Sequence, residues 1–332
     1  MNNRWNARVP DPVSTVCETC GLQPAASAVP SPSACLEQRR SRDYRSAAQD
    51  YLDLTKPRIT WLILMSTAIG YYFGLGRTAG FSFWTLFHTI LGTGLVASGT
   101  AALNQWYERD ADLKMRRTEK RPIPSGRVSP PRALWFGISL AVAGAAELAL
   151  GVNWLSSALC ALTLLMYLFL YTPLKQKTWW STTVGAIPGA MPPLIGFAAA
   201  RGHLTAEAWS LYAILFLWQF PHFYAIAWMY RDDYSRAGIR MLPVVEPDGE
   251  STARQMLYFC LALIPISLLP NWLGMTGVIY VVGALAMGVA FLAITARVLS
   301  RRSILEARRV LLASVVYLPL LYGLMLLDPP RF

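Results

Sequence analysis

The sequence predicts an all-α membrane protein, a polytopic bundle of nine transmembrane helices. Apolar residues make up 54% of the 332 residues and charged residues only 15%, and long apolar runs recur from Pro57 to the C-terminus. A helix needs about 20 apolar residues to cross about 30 Å of hydrocarbon, and these runs have that length. Backbone amides find no water in lipid, so long runs without alternation indicate helices and not barrel strands.

Nine apolar runs follow one another along the chain, separated by polar or Gly- and Pro-containing segments. The predicted spans cover residues 57–76, 83–104, 133–151, 154–171, 184–200, 209–229, 255–272, 274–296 and 308–327. Nine spans would place the N-terminal region and the loops after spans 2, 4, 6 and 8 on one side. Those segments carry 27 of the 30 Lys and Arg residues. This distribution predicts a cytoplasmic N-terminus, cytoplasmic even-numbered loops and an exterior C-terminus.

The net charge of +11 is therefore a signal of topology, because the bases lie beside membrane spans. Nucleic-acid binding, the other meaning of a basic chain, is disfavoured for the same reason.

Residues 1–50 differ in kind from the rest, being rich in Pro, Ser and Ala and lacking apolar periodicity. We predict a disordered cytoplasmic tail there and a transmembrane domain over residues 51–332. The tail has neither the apolar core of a secretory signal nor the acid-poor composition of an organellar presequence, which favours a bacterial inner membrane. Its Cys17-x-x-Cys20 is interpreted as incidental, since a zinc site needs four ligands.

The stretch NQWYERDADLKMRRTEKRP ends the second span and concentrates acids and bases. On a helix, Asn104, Glu108 and Asp112 are spaced i, i+4, i+8 and form one stripe, whereas Asp110 lies roughly 200° around and suits an ion pair with a nearby Arg. Carboxylates beside a neutral amide are suitable ligands for Mg²⁺. A solvated helix end with internal ion pairs is the alternative.

A second acidic pair, Asp232 and Asp233, follows the sixth span on the same predicted side. Two acidic groups at one membrane face can hold metal ions that bridge an anionic substrate, and diphosphate fits best. Arg117, Arg121 and Lys175 could contact its oxygens, although for any single base anchoring to anionic lipid headgroups is the favoured interpretation. An apolar chain on the diphosphate would lie between the spans, which suggests a prenyl diphosphate.

The motif beginning at Asn104 resembles the N-x-x-x-D-x-x-x-D motif of the UbiA-type intramembrane prenyltransferases. Further segments are similar to the heme-modifying members of that family: DLTKPRIT, YTPLK, GAIPGAMPPLIG and WQFPHF…DYSRAGIRMLPV. The resemblance covers roughly residues 50–327. The resemblance implies a bundle of nine helices with a central cavity capped by two acidic loops. It further implies Mg²⁺ as the cofactor, with farnesyl diphosphate and heme B as substrates and heme O as product.

Carried over by position, the resemblance assigns Asn104, Glu108 and Asp112 to the first motif and Asp233 to the second, with Glu108, Asp112 and Asp233 as metal ligands. The remaining assignments are to substrate binding: Arg117, Arg121, Lys175, Asp110, Asp232, His222 and Tyr171. Glu108 replaces the usual Asp, which lengthens the reach of the carboxylate. Ala237 stands where relatives acting on quinone precursors have a second Asp, so a heme substrate is favoured over an aromatic one.

His222 invites two interpretations, because a heme iron needs an axial ligand and this histidine lies within the sixth span. The alternative is a hydrogen bond between helices beside Pro221. Glu147, near the outer end of the third span, is expected to be hydrogen-bonded or water-facing. Two other functions stay open: a prenyltransferase for an aromatic quinone precursor, and a cation-coupled transporter, which would place its acids near the bilayer midplane. Docking of a downstream heme-modifying enzyme is also left open.

Overall fold

The computed structural model describes residues 46–76 and 80–329, and within these residues the regular secondary structure is entirely helical. The chain divides into two units, Met1–Asp50 and Tyr51–Phe332. Only residues 46–50 of the first unit are described. The predicted disordered tail, with Cys17 and Cys20, therefore lies almost wholly outside the described residues.

The helices of the first half, in chain order, are α1 (Ala47–Leu54), α2 (Pro57–Leu75), α3 (Phe83–Tyr107), α4 (Arg109–Asp112), α5 (Pro130–Gly151), α6 (Trp154–Leu165), a π-helix (Met166–Tyr171) and α7 (Thr172–Leu174). Those of the second half are α8 (Ser181–Gly189), α9 (Pro192–Arg201), α10 (Ala206–Met229), α11 (Arg231–Arg236), α12 (Leu242–Val245), α13 (Glu250–Ile266), α14 (Leu269–Trp272), α15 (Val278–Ser300) and α16 (Ile304–Leu327).

Among the described residues, eight helical stretches are long and apolar enough to cross a membrane, and they match the second to ninth predicted spans. They are α3, α5, Trp154–Leu174, Ser181–Arg201, α10, Glu250–Trp272, α15 and α16. The first predicted span forms α2, a helix of 19 residues that is not among the eight. It carries Arg58 and several hydroxyl side chains, which lower its hydropathy. The prediction of nine spans is therefore close to the eight found.

The fifth predicted span is broken into α8 and α9 at Ala190 and Met191. Pro192 begins α9, where the missing N–H of a proline costs no helix hydrogen bond. Gln219 of α10 supports the break, because its Nε2 donates to the Ala186 carbonyl oxygen at 3.1 Å. A polar side chain of the sixth span thus adds a hydrogen bond to a carbonyl oxygen that already accepts from the Ala190 N–H in the fifth span.

Helices α2 and α9 approach closely at two glycines. A Cβ atom at Gly196 would lie 1.8 Å from the Thr67 carbonyl oxygen, and one at Gly70 would lie 2.0 Å from the Pro193 carbonyl oxygen. Small residues allow this backbone contact, which is common between helices in membranes. The segment GAIPGAMPPLIG therefore provides both a helix break and a close packing surface.

The fourth span ends in a π-helix, Met166–Tyr171, which the sequence analysis did not predict. Pro173 has no N–H to continue an α-helical ladder, and the Thr172 Oγ1 donates to the Tyr167 carbonyl oxygen at 2.8 Å. Single π turns occur frequently at functional sites. Here the turn brings Tyr171 and Lys175 to the end of α3.

The core has a larger apolar cluster, drawn mainly from α10, α13, α15 and α16, and a smaller one from α3, α5, α6 and α9. Trp218, Tyr224 and Phe291 belong to the first, and Leu148 and Phe197 to the second. The candidate functional groups lie at one end of this helical core.

Candidate active site

The segments after the second and sixth spans pack directly against each other. Ala111 and Met115 of the first segment share an apolar cluster with Ala237 and Ile239 of the second. The Arg236 Nε also donates to the Lys114 carbonyl oxygen at 3.4 Å. The two acidic segments therefore lie at the same end of the bundle, as a shared site requires.

Glu108 is the C-terminal capping residue of α3 and forms an ion pair with Lys175. The distance from the Lys175 Nζ to the Glu108 Oε1 is 2.7 Å, and both side chains are largely buried. Burial opposes ionisation of Glu108, but Lys175, Lys56 and Arg121 outweigh it and lower the pKa of the carboxyl group. Burial likewise disfavours the Lys175 cation. The electrostatic influence of Glu108, followed by that of Tyr171, nevertheless raises the pKa of Lys175 well above 10.5.

Asp112, the last residue of α4, has no exposed surface and is held by Arg121. The Arg121 Nη1 donates to both carboxylate oxygens, at 2.9 and 2.7 Å. The Thr118 hydroxyl donates to the Asp112 carbonyl oxygen at 2.9 Å and ties the loop back onto the helix end. The loop is therefore folded around a buried carboxylate.

Asn104 lies one turn deeper in α3 and is almost fully buried. Its Oδ1 accepts from the Lys56 Nζ at 3.1 Å, and its Nδ2 donates weakly to the Thr172 Oγ1 at 3.5 Å. The predicted stripe of Asn104, Glu108 and Asp112 thus contacts bases from three different segments.

Lys56 belongs to this cluster, and the sequence analysis gave it no role. It precedes α2 with φ 49°, and among the described residues it is the only non-glycine residue with positive φ. This left-handed backbone costs roughly 1–2 kcal/mol. The signal in the sequence was a Lys directly before Pro57, but a base at a span end is equally typical of lipid anchoring.

The cluster carries more positive than negative charge. Lys56, Arg121 and Lys175 face Glu108 and Asp112, and the Lys56 ammonium donates to a neutral amide oxygen. Burial, followed by Arg121, lowers the pKa of Lys56 to about 7 despite the opposing influence of Glu108. An additional anion would therefore be stabilised here.

The second acidic segment contributes one buried carboxylate. Asp233 is 9% exposed and pairs with Arg236 one turn along α11. Asp232 and Asp110, in contrast, expose 85% and 82% of their side chains and lie near Arg231 and Arg109 at 3.8 and 3.9 Å. In each segment the structure therefore buries one acid and exposes the other: Asp112 and Asp233 are buried, whereas Asp110 and Asp232 face solvent. Asp110 and Asp232 thus do not join the buried cluster.

Aromatic rings surround the bases. The Lys175 Nζ lies 4.5 Å from the centroid of the Tyr171 ring, which in turn lies 5.0 Å from the ring of Tyr167. The Arg117 guanidinium lies 4.7 Å from the Tyr230 ring and donates to the Tyr234 hydroxyl at 3.4 Å. Arg117 therefore bridges to the second acidic segment, while Tyr171 supports Lys175.

His222 and His88 occupy different surroundings. The His222 Nδ1 lies 2.8 Å from the Ser314 Oγ of α16, so the contact between helices that the sequence left as an alternative is present. The His88 Nδ1 lies 2.6 Å from the Glu147 Oε1, a pair near the other end of the bundle that the sequence did not predict. Glu147 is thus hydrogen-bonded, as expected.

The carboxylate oxygens at this site suit Mg²⁺ that is bound together with substrate phosphates. Among the described residues, no group of three His, Cys, Asp or Glu side chains is close enough to hold a metal ion. Mg²⁺, however, is usually bound by one or two carboxylates together with substrate phosphates and water. Glu108, Asp112 and Asp233 provide such oxygens, each beside a base that could instead pair with phosphate.

The chain is similar in sequence to known proteins. Residues 63–318 match the UbiA prenyltransferase family. A protein from Solibacter usitatus named protoheme IX farnesyltransferase is 64% identical over 289 residues, covering 85% of this chain and 99% of the relative. A protein of the same name from Koribacter versatilis is 48% identical, covering 85% of this chain and 94% of the relative.

Solved structures show the same fold at low sequence identity. A structure from work on a digeranylgeranylglyceryl phosphate synthase has a TM-score of 0.70 at 16% identity, covering 85% of this chain and 98% of that chain. A UbiA homolog from Archaeoglobus fulgidus, bound to GPP and Mg²⁺, has a TM-score of 0.59 at 16% identity, covering 83% and 99%. The chain therefore belongs to the UbiA prenyltransferase family, on the branch formed by its protoheme IX farnesyltransferase relatives.

Proposed function

We propose that this protein transfers a farnesyl group from farnesyl diphosphate to a vinyl group of heme B, giving heme O and diphosphate. The bond between farnesyl C1 and oxygen breaks, and its electron pair leaves with the diphosphate. The terminal vinyl carbon forms the new bond to C1. Water then adds to the inner vinyl carbon and loses a proton, which leaves a hydroxyl group on the product.

The observation that carries this proposal is the buried cluster of Glu108, Asp112, Lys56, Arg121 and Lys175 at one end of an apolar helical bundle. A prenyl diphosphate has the complementary form, an anion joined to an apolar chain. Relatives of 64% and 48% identity are named protoheme IX farnesyltransferase, which supports heme as the acceptor. Ala237, which replaces the second acid of relatives acting on quinone precursors, also favours heme.

Mg²⁺ ions, each held by one or two of Glu108, Asp112 and Asp233 together with the diphosphate, would neutralise charge on the diphosphate oxygens. Lys56, Arg121 and Lys175 would bind those oxygens, and Asn104 would keep Lys56 directed toward them. The Tyr171 ring, already beside Lys175, would favour positive charge that develops at C1. These residues act by positioning and charge neutralisation, without a covalent intermediate.

We further propose that His222 contacts the heme and that the site faces the cytoplasm of a bacterial inner membrane. The orientation rests on the 27 of 30 bases that fall on one predicted side. Because the product is itself a heme, an enzyme that modifies heme further is the class of partner that would receive it.

The test is product analysis with purified protein, farnesyl diphosphate and Mg²⁺, supplied with either heme B or a hydroxybenzoate. We expect a mass gain on heme B that corresponds to one farnesyl group plus one hydroxyl group. Prenylation of the hydroxybenzoate alone would replace the proposal with a quinone-pathway activity. Cation flux into vesicles without any prenylated product would favour a transporter.

A further inference from the structure

Helices α10 and α16 are joined by two hydrogen bonds that converge on Ser314. The Trp218 indole Nε1 donates to the Ser314 carbonyl oxygen at 2.8 Å, and the His222 Nδ1 lies 2.8 Å from the Ser314 Oγ. The rings of Trp218 and His222 stack, with centroids 4.9 Å apart and planes 25° apart. The imidazole is therefore held on one side by an aromatic ring and at Nδ1 by a hydroxyl group.

The Ser314 hydroxyl group has a single proton, and its position follows from a second contact. The Ser314 Oγ lies 2.7 Å from the Leu311 carbonyl oxygen, which can only accept a hydrogen bond. If Ser314 donated to His222 instead, those two oxygens would face each other without a proton between them. The favourable arrangement has Ser314 donating to Leu311 and accepting from the Nδ1–H of His222.

A neutral imidazole with its proton on Nδ1 has its lone pair on Nε2. That tautomer is the form that binds a metal through Nε2, and histidines that bind metals usually donate their other N–H to a fixed acceptor. Among the described residues, the only hydrogen bond of the His222 ring is the one at Nδ1, and the side chain keeps part of its surface exposed.

His222 is also placed toward the acidic end of the bundle. His222, Ile226 and Met229 share one stripe of α10, because steps of four and three residues return to the same helix face. At 1.5 Å per residue, His222 lies about 10 Å below the end of α10, which the buried Asp233 follows closely.

We propose that Ser314 is a positioning residue that holds His222 in the Nδ1–H tautomer, so that Nε2 can coordinate the iron of the heme substrate. This inference rests on the proposed heme farnesyltransferase function. Ser314 contacts neither farnesyl diphosphate nor heme in this scheme, and it acts only through the histidine.

The tautomer can be measured without substrate. The chain contains three histidines, so protein labelled with ¹⁵N-histidine gives signals from three imidazole rings. The signals that are missing from the His222→Ala variant belong to His222. We expect the ¹⁵N shifts of His222 to report a protonated Nδ1 in the wild type and a loss of that preference in Ser314→Ala. A protonated Nε2 in the wild type, or unchanged shifts in Ser314→Ala, overturns the proposal.

Binding of ferric heme B is the second measurement, followed by the Soret band and the electron paramagnetic resonance spectrum. We expect His222→Ala to lose the histidine-ligated signature and Ser314→Ala to bind heme about 10- to 100-fold more weakly, the usual cost of losing an outer partner of a metal ligand. Ser314→Thr, which keeps the hydroxyl group, should recover most of the affinity.

Ser267→Ala is the matched control, because it removes a buried hydroxyl group that contacts Tyr317 of α16 and not His222. It should leave heme affinity unchanged. If wild-type protein forms heme O but neither Ser314→Ala nor His222→Ala alters the heme spectrum, the inference fails while the proposed function stands. Absence of heme O from wild-type assays would instead refute the proposed function.

Discussion

Lys175 and Glu108 are 67 positions apart in sequence, yet their side chains form an ion pair of 2.7 Å at the end of the bundle. The pair joins the ends of the second and fourth spans. It also leaves each charge neutralised before substrate arrives. A diphosphate that binds Lys175 would therefore release Glu108 for a metal ion. We expect substrate binding to replace the ion pair with one contact between Lys175 and phosphate and another between Glu108 and the metal ion.

The first prediction concerns this pair. Lys175→Met should lower the free energy of unfolding by about 3–5 kcal/mol, because it leaves a buried carboxylate without a partner. The double variant with Glu108→Gln should recover most of that loss, since both charges are then removed. Denaturant unfolding in detergent measures the effect on stability.

Enzyme activity should not parallel stability in the single and double variants of this pair. The double variant is expected to be folded but inactive, because both the metal ligand and the phosphate ligand are gone. A double variant that forms heme O at a rate near that of the wild type would remove Glu108 and Lys175 from the site.

The second prediction compares neighbouring acids that differ in burial. Asp112→Asn should reduce heme O formation by at least about 100-fold, the scale for losing one group that stabilises developing charge. Asp110→Asn is the control, because Asp110 exposes 82% of its side chain. Its turnover should stay within about twofold of the wild type. The measurement is initial rate at saturating substrates, with circular dichroism to confirm folding.

The third prediction applies the same comparison to the second acidic segment. Asp233→Asn should lose activity because Asp233 is buried beside Arg236, whereas Asp232→Asn should not because 85% of that side chain is exposed. Farnesyl diphosphate binding, measured by calorimetry with Mg²⁺ present, should weaken only for Asp233→Asn. Equal losses in both variants would contradict a role for the buried acid alone.

The fourth prediction concerns pH and Lys56. Its pKa falls from 10.5 in the unfolded chain to about 7 in the folded protein, so between these values the unfolded chain binds more protons. Stability should therefore rise with pH from about 7 toward 10, and it should be lowest where the buried ammonium is fully charged. Thermal unfolding between about pH 6 and about pH 9.5 measures the slope.

Lys56→Met should abolish that contribution and flatten the profile relative to the wild type. Inorganic diphosphate should reduce the slope in the wild type, because an adjacent anion favours the charged lysine. Identical pH profiles for the wild type and Lys56→Met would show that Lys56 does not titrate in this range.

The fifth prediction tests helix packing. Gly196→Ala should destabilise the protein by about 1–3 kcal/mol, because the added Cβ would meet the Thr67 carbonyl oxygen on α2. Gly323→Ala is the matched control, since no atom lies within 4 Å of the position that its Cβ would take. That variant should be neutral or slightly stabilising. Similar melting temperatures for the two variants would contradict close packing of α2 on α9.

The sequence by itself determined that lipid surrounds most of the chain. It also determined the approximate positions of the spans and of the two acidic segments. Apolar run length and the distribution of bases carry that information, because burial in lipid acts on each segment separately. Local spacing also predicted one helix stripe for Asn104, Glu108 and Asp112. In the structure α3 ends at Tyr107 and Asp112 belongs to α4, but backbone hydrogen bonds from the Glu108 N–H to Asn104 and from the Asp112 N–H to Glu108 keep the spacing of four residues. The break in the fifth span and the π-helix at Pro173 were less accessible, since neither apolar run length nor helical spacing marks them.

The tertiary structure alone decided which charges meet. Lys56 resembles any lipid-anchoring base in the sequence, and only the packing of α2 beside α3 places it on Asn104. In the same way, burial separated Asp112 from Asp110 and Asp233 from Asp232, although each pair is equally acidic in the sequence. The physical reason is that an ion pair between distant segments depends on distances that the packing of apolar helices sets, and those distances are not encoded in any single segment.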